Sequence, residues 1–99
     1  MMIIDKTRSD TTLTIALNGR LDTIAAPRLE AELKDSLPGV EHLVLDFTAV
    51  EYLSSAGLRV LLAAQKQMNK QGDMVVRHVN ETVADIFDVT GFSDILTIE

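Results

Sequence analysis

The sequence predicts a single α/β domain, and three observations carry that prediction. Stretches with the period of a strand alternate with stretches of helical period along the whole chain. The length, 99 residues, suits one domain with one core. No repeat, linker or low-complexity tract divides it, so residues 1–99 read as one unit. The expected architecture is a mixed sheet: an opening antiparallel hairpin, then parallel strands packed by helices.

The elements follow in order. "MIIDKTR" and "TLTIALNG" flank the polar turn "SDTT". In the second run Leu13, Ile15 and Leu17 alternate with Thr14, Ala16 and Asn18, the pattern of a half-buried strand, and Gly19 is expected to end it. In "LDTIAAPRLEAELKDSLPG", Pro27 suits a first helical turn, Leu29, Leu33 and Leu37 recur at helical spacing, and Pro38-Gly39 closes the element. "HLVLDF" is apolar on both faces, as an interior strand covered by helices would be. The pattern leaves open whether helices cover one face of the sheet or both. "TAVEYLSS" reads as a loop, and a helix is expected from about Ala56 to Gln71. Leu58, Leu61, Leu62, Gln65 and Met68 share its core face, with Arg59, Lys66 and Lys70 opposite. "DMVVRHV" is a further strand, "NETVADIFDV" a helix capped by Asn80, and "DILTIE" a short last strand or tail.

Composition excludes several function classes. Without cysteine there are no disulfides, thiolate metal sites or Cys nucleophiles, and a reducing cytoplasm suits the chain. "MMIIDKTRSD" lacks the charged and apolar regions of a signal peptide, and "VLLAA" at 60–64 is far short of a membrane span. The expected protein is therefore cytoplasmic, with no membrane partner. A net charge of −6 and singly scattered basic residues argue against nucleic acid. No His/Asp/Glu cluster has metal-ligand spacing, so neither metal nor cofactor is expected.

The stretch that holds chemistry is "YLSSAGL". If a helix begins near Ala56, Ser54 or Ser55 is its N-cap, accepting a hydrogen bond from a free backbone N–H. The same position tolerates an anion, so a phosphate on Ser55 would add about −1.5 to −2 charges without unfolding the domain. Ala56 keeps that hydroxyl accessible, and Gly57 is the small residue that lets another backbone approach closely. Spacing permits both readings. A hydrolase triad of Ser55, His78 and an Asp is opposed by Leu53, which stands where a nucleophile elbow needs its first glycine.

"LVLDFTAVEYLSSAGLRVLLAAQKQM", with "LNGRLDTIAAPRLEAEL" upstream and "ETVADIFDVTGF" downstream, resembles the STAS domain of bacterial anti-sigma factor antagonists over nearly the whole chain. Two anchors carry the likeness together: "G-x-L-D-T" at 19–23 and the serine-glycine turn at 54–57 after "D-F-x-x-V". The resemblance implies a STAS-type fold and a partner-switching module without catalysis. The unphosphorylated domain would bind an anti-sigma factor, a serine kinase with a histidine-kinase-like ATP fold, and so free the sigma factor. Phosphorylation of one serine would dissolve the complex, and a PP2C-type phosphatase would reverse it. ATP and metal belong to those partners. Many members carry Asp where Ser54 stands and a second hydroxyl where Ala56 stands. Ser55 is the expected phosphorylation site, with Ser54 in reserve and as the cap.

The partner surface expected from these positions comprises Asp22, Thr23, Ser54, Ala56, Gly57, Arg59 and Val60. Asp22 and Thr23 match a family loop beside the phosphorylation turn, and either could instead cap the first helix. Arg59 could pair with a partner carboxylate, pair with the phosphate, or stay solvated. Val60 and Ala64 lie beside the core stripe, where ordinary packing also explains them. Asp46 is expected to hold loop N–H groups. A rival reading keeps the domain and drops the switch: a scaffold subunit of a transporter or other regulatory complex.

Overall fold

A computed structural model describes residues 2–99. Strands β1 (Ile3–Ser9) and β2 (Thr12–Leu21) form the opening antiparallel hairpin, with Ser9 paired to Thr12 across a two-residue turn. Asp10 takes φ 57 in that turn, the left-handed conformation that short acidic and amide side chains tolerate. Helix α1 (Ala25–Ser36), strand β3 (His42–Leu53), helix α2 (Ser55–Gln71), strand β4 (Asp73–Arg77) and helix α3 (Glu81–Thr90) follow. The sheet order is β1-β2-β3-β4, and β3 runs parallel to both β2 and β4.

Helices cover one face of this sheet. Leu13, Leu43 and Met74 lie in register, as do Ile15, Leu45 and Val76, and all six are buried together with Leu17 and Phe47. Leu29 and Leu33 from α1, Leu61 and Met68 from α2, and Phe87 from α3 complete the core. The Phe87 and Phe47 rings lie 6.3 Å apart, within the range of favourable aromatic pairs. On the opposite face Thr14, Ala16, Val44 and Val75 are only half-buried. The apolar doubling of "HLVLDF" therefore reflects an interior strand with one covered face rather than two.

Two boundaries differ from expectation, and one cause explains both. β2 does not stop at Gly19 but passes through it at φ 115 and runs to Leu21. β3 does not end at Phe47, and most of the expected loop "TAVEYLSS" is strand through Leu53. Against β2, β3 carries an extra residue between the pairs Ala16–Asp46 and Asn18–Ala49, and another between Gly19–Val50 and Arg20–Tyr52. Each such bulge lengthens the strand by one residue. The buried positions Phe47, Val50 and Leu53 are consequently three apart, and a period of two cannot find them. Asp46 stitches the first bulge by accepting hydrogen bonds from the Thr48 N–H and hydroxyl. Both bonds favour the charged form and hold its carboxyl below the usual range, the hydroxyl contributing most.

The remaining elements follow the pattern closely. Asn80 caps α3, its Oδ1 accepting from the Val83 N–H at 2.8 Å. Its Nδ2 donates to the Val50 carbonyl at 2.8 Å, tying the helix to the part of β3 that β4 does not reach. The last segment makes a 3-10 turn (Phe92–Asp94) and then bridges Val76 through Ile98 in parallel, with backbone bonds from Val76 to Thr97 and from Glu99 to Val76.

Candidate functional site

Parallel β2 and β3 end side by side at Leu21 and Leu53, so the turns that follow them meet at one end of the sheet. The Ser54 N–H donates to the Leu21 carbonyl at 2.9 Å, which joins the two turns directly. From this point both helices start, and each start has its own capping side chain.

Ser54 caps α2. Its backbone is extended, its carbonyl accepts from Leu58, and its Oγ accepts from the Gly57 N–H at 3.2 Å. Ser55 is the first residue of α2, one position earlier than expected, and its side chain is exposed. Ser54 is thus the cap, as expected from the serine turn.

Asp22 caps α1. Its carbonyl accepts from Ala26 at 2.9 Å, and its Oδ1 accepts from Ala25 at 2.8 Å and Ile24 at 3.0 Å. These N–H donors, Ala25 foremost, hold the Asp22 carboxyl below the usual carboxylate range. Capping of the first helix accordingly belongs to Asp22 rather than Thr23, which is exposed beside it.

The other expected residues divide between surface and interior. Thr23, Ala56, Arg59 and Val60 line one cleft between the starts of α1 and α2, together with Pro27 and Glu30. Val60 is 6% exposed and also borders the groove that continues along α1 and α2 past Leu33, Leu37 and Ala64. Gly57 is buried, and the backbone that approaches it is this chain's own: a Cβ there would lie 2.9 Å from the Leu21 carbonyl oxygen.

Two features of this end were missed. Ile24 is 81% exposed in the turn before α1. It stands nine residues before Leu33, about two and a half turns at 3.6 residues per turn, and so points away from the buried stripe of α1. With Asp22 recognised as the cap, that wheel position was legible. Arg20 and Tyr52 are register partners, and the guanidinium carbon lies 4.5 Å from the ring centroid, a cation–π contact. Nothing in the sequence signalled this pair, because it depends on the bulges that align residue 20 with residue 52.

His42 opens β3 at the opposite end of the sheet, within 3.1 Å of Asp73, and among the described residues neither it nor His78 forms a hydrogen bond with Ser55. Among the described residues no group of three His, Asp or Glu side chains could hold a metal ion. No helix among them is long and apolar enough to cross a membrane.

A small α/β domain with one helix-covered face and a capped serine turn at the end of its central strands defines a class, and the comparisons identify it. The profile of the STAS domain family matches residues 3–99. Over 91 residues the chain is 36% identical to the putative anti-sigma factor antagonist BtrV of Bordetella bronchiseptica, covering 90% of this chain and 78% of that protein. Two solved structures share the fold. The anti-sigma factor antagonist SpoIIAA in its unphosphorylated form superposes with a TM-score of 0.85 at 18% identity, covering 98% of this chain and 88% of the other. The Bacillus cell fate determinant SpoIIAA in its phosphorylated form gives 0.77 at 17%, covering 98% and 91%. The chain belongs to the STAS domain family.

Proposed function

We propose that this chain is an anti-sigma factor antagonist that acts in the cytoplasm by partner switching. In its unphosphorylated form it binds an anti-sigma factor serine kinase with a histidine-kinase-like ATP fold, and the sigma factor is released. Phosphorylation of Ser55 ends the complex, and a PP2C-type phosphatase restores it. The observation that carries this reading is the division of labour between the two serines: Ser54 Oγ is committed to the Gly57 N–H, while Ser55 is exposed at the head of α2. A kinase can reach Ser55 without disturbing the cap. The similarity to BtrV, named as a putative anti-sigma factor antagonist, and the existence of SpoIIAA in unphosphorylated and phosphorylated forms support the same reading.

The mechanism is electrostatic. Thr23, Ser55, Ala56 and Arg59 offer a surface of mostly small side chains, with Glu30 across the cleft, against which a partner packs closely. A phosphate there adds about −1.5 to −2 charges. Burying in an interface the part of that charge that no cation of the partner matches costs several kcal/mol, enough to dissolve a regulatory complex. Val60 and the capped Asp22 turn shape the edge of the contact.

A pull-down from native lysate tests this with two baits, Ser55→Ala and the chain carrying phosphoserine at 55. The expected result is a small ATP-binding serine kinase on the first bait and its absence from the second. Equal capture of that kinase by both baits, or capture of only a transporter subunit by Ser55→Ala, would overturn the switch and leave a scaffold.

A further inference from the structure

Arg59 stands four residues after Ser55 on α2, and both side chains are exposed. Residues so spaced are neighbours on one helix face, with Cβ atoms about 5–6 Å apart. Among the described residues the ion pairs are Lys6–Glu32, Arg77–Glu99 and, when its ring is protonated, His42–Asp73; Arg59 takes part in none. The other elements around it are charged as well. Glu30 of α1 lines the same cleft as Arg59 without an ion pair to it, and Arg20 and Glu51 stand near the ends of β2 and β3. The Asp22 carboxylate of the intervening turn is already bound to two backbone N–H groups.

We infer that Arg59 is the intramolecular counter-ion of a phosphate on Ser55. The inference rests on the proposed modification of Ser55 and adds to it where the phosphate goes. A guanidinium presents planar, paired donors that match phosphate oxygens, and its charge persists at any physiological pH. The hydroxyl of Ser54 occupies the Gly57 N–H, so the Arg59 side chain is a donor that the new dianion gains in addition to the remaining first-turn N–H groups. Pairing draws Arg59 from the cleft it shares with Glu30. Modification therefore changes the surface in two places, adding an anion at Ser55 and withdrawing a cation from the α1–α2 cleft.

The test uses the full chain with phosphoserine installed at position 55 during translation, so no kinase is needed. Its outcome stands whether or not Ser55 is modified in cells, which phosphopeptide mass spectrometry of the native protein reads separately. Phosphorus NMR then follows the second ionisation of the phosphate in low salt. That ionisation is expected roughly 0.3 pH unit lower in the unaltered chain than in Arg59→Gln, about a twofold change in the acid constant. The difference should shrink in 1 M salt, and Lys66→Gln, on the same helix but farther along, should leave the curve in place. Coincident curves for the unaltered chain and Arg59→Gln would overturn the pairing, as would an equal displacement by Lys66→Gln.

Discussion

Gly57 and Leu21 touch so closely that the first turn of α2 has no room for a methyl group: a Cβ on Gly57 would lie 2.8 Å from Leu21 Cγ and 2.9 Å from its carbonyl oxygen. The same carbonyl accepts the Ser54 N–H. One residue at the end of β2 thus sets the position of the serine turn twice, by a hydrogen bond and by contact.

Gly57→Ala is expected to destabilise the domain by about 1–2 kcal/mol. Overpacking costs about 1–3 kcal/mol, and the better helix propensity of alanine returns up to about 1. Urea unfolding measures the change. A variant as stable as the parent would mean that the turn and the strand end move apart freely.

The two serines should separate cleanly in stability. Ser54→Ala removes the cap of α2 and is expected to cost about 1 kcal/mol, whereas Ser54→Asp keeps an acceptor and most of the stability. Ser55→Ala should stay within about 0.5 kcal/mol of the parent, since its side chain is exposed. Chemical denaturation of the three variants side by side would show whether cap and switch are separate residues.

Acid should weaken this end of the sheet. Asp22 and Asp46 both have folded-state pKa values below the ordinary aspartate value of about 3.9. Their contribution is therefore complete above that value and is lost as pH falls through the lower folded-state value. Asn can replace the Asp22 cap without titrating, so Asp22→Asn should flatten the stability curve below about pH 4 while leaving the neutral-pH fold in place. Urea midpoints from pH 3 to 7 provide the comparison.

Asn80 does two jobs with the two ends of its amide, and charge separates them. Asp caps a helix as well as Asn, but it cannot donate to the Val50 carbonyl. Asn80→Asp is expected to lose about 1–3 kcal/mol, the range for leaving a partly buried carbonyl unpaired. A loss no larger than a few tenths in denaturant titrations would show that only the cap matters.

Much of this molecule was legible as a string. The helices were found by leucines at helical spacing, α3 by Asn80, and the hairpin by alternation around a polar turn. The motif at 54–57 marked the site because capping chemistry and family likeness both converge there. What the string hid was the length of β3. Its bulges space Phe47, Val50 and Leu53 three apart, a pattern that matches no regular strand and so resembles a loop. Ile24 was hidden for a related reason, since its exposure became clear only once Asp22 had set where α1 begins.

The sequence alone determined the order and type of the elements, because hydrophobic period and caps act over a few residues. It also determined which short turn could hold an accessible hydroxyl. Only the tertiary structure decided that helices cover one face of the sheet and why position 57 is glycine. Those answers depend on contacts between segments dozens of residues apart, such as Leu21 with Ser54 and Gly57. Local pattern has no means to encode such meetings until the strands are in register.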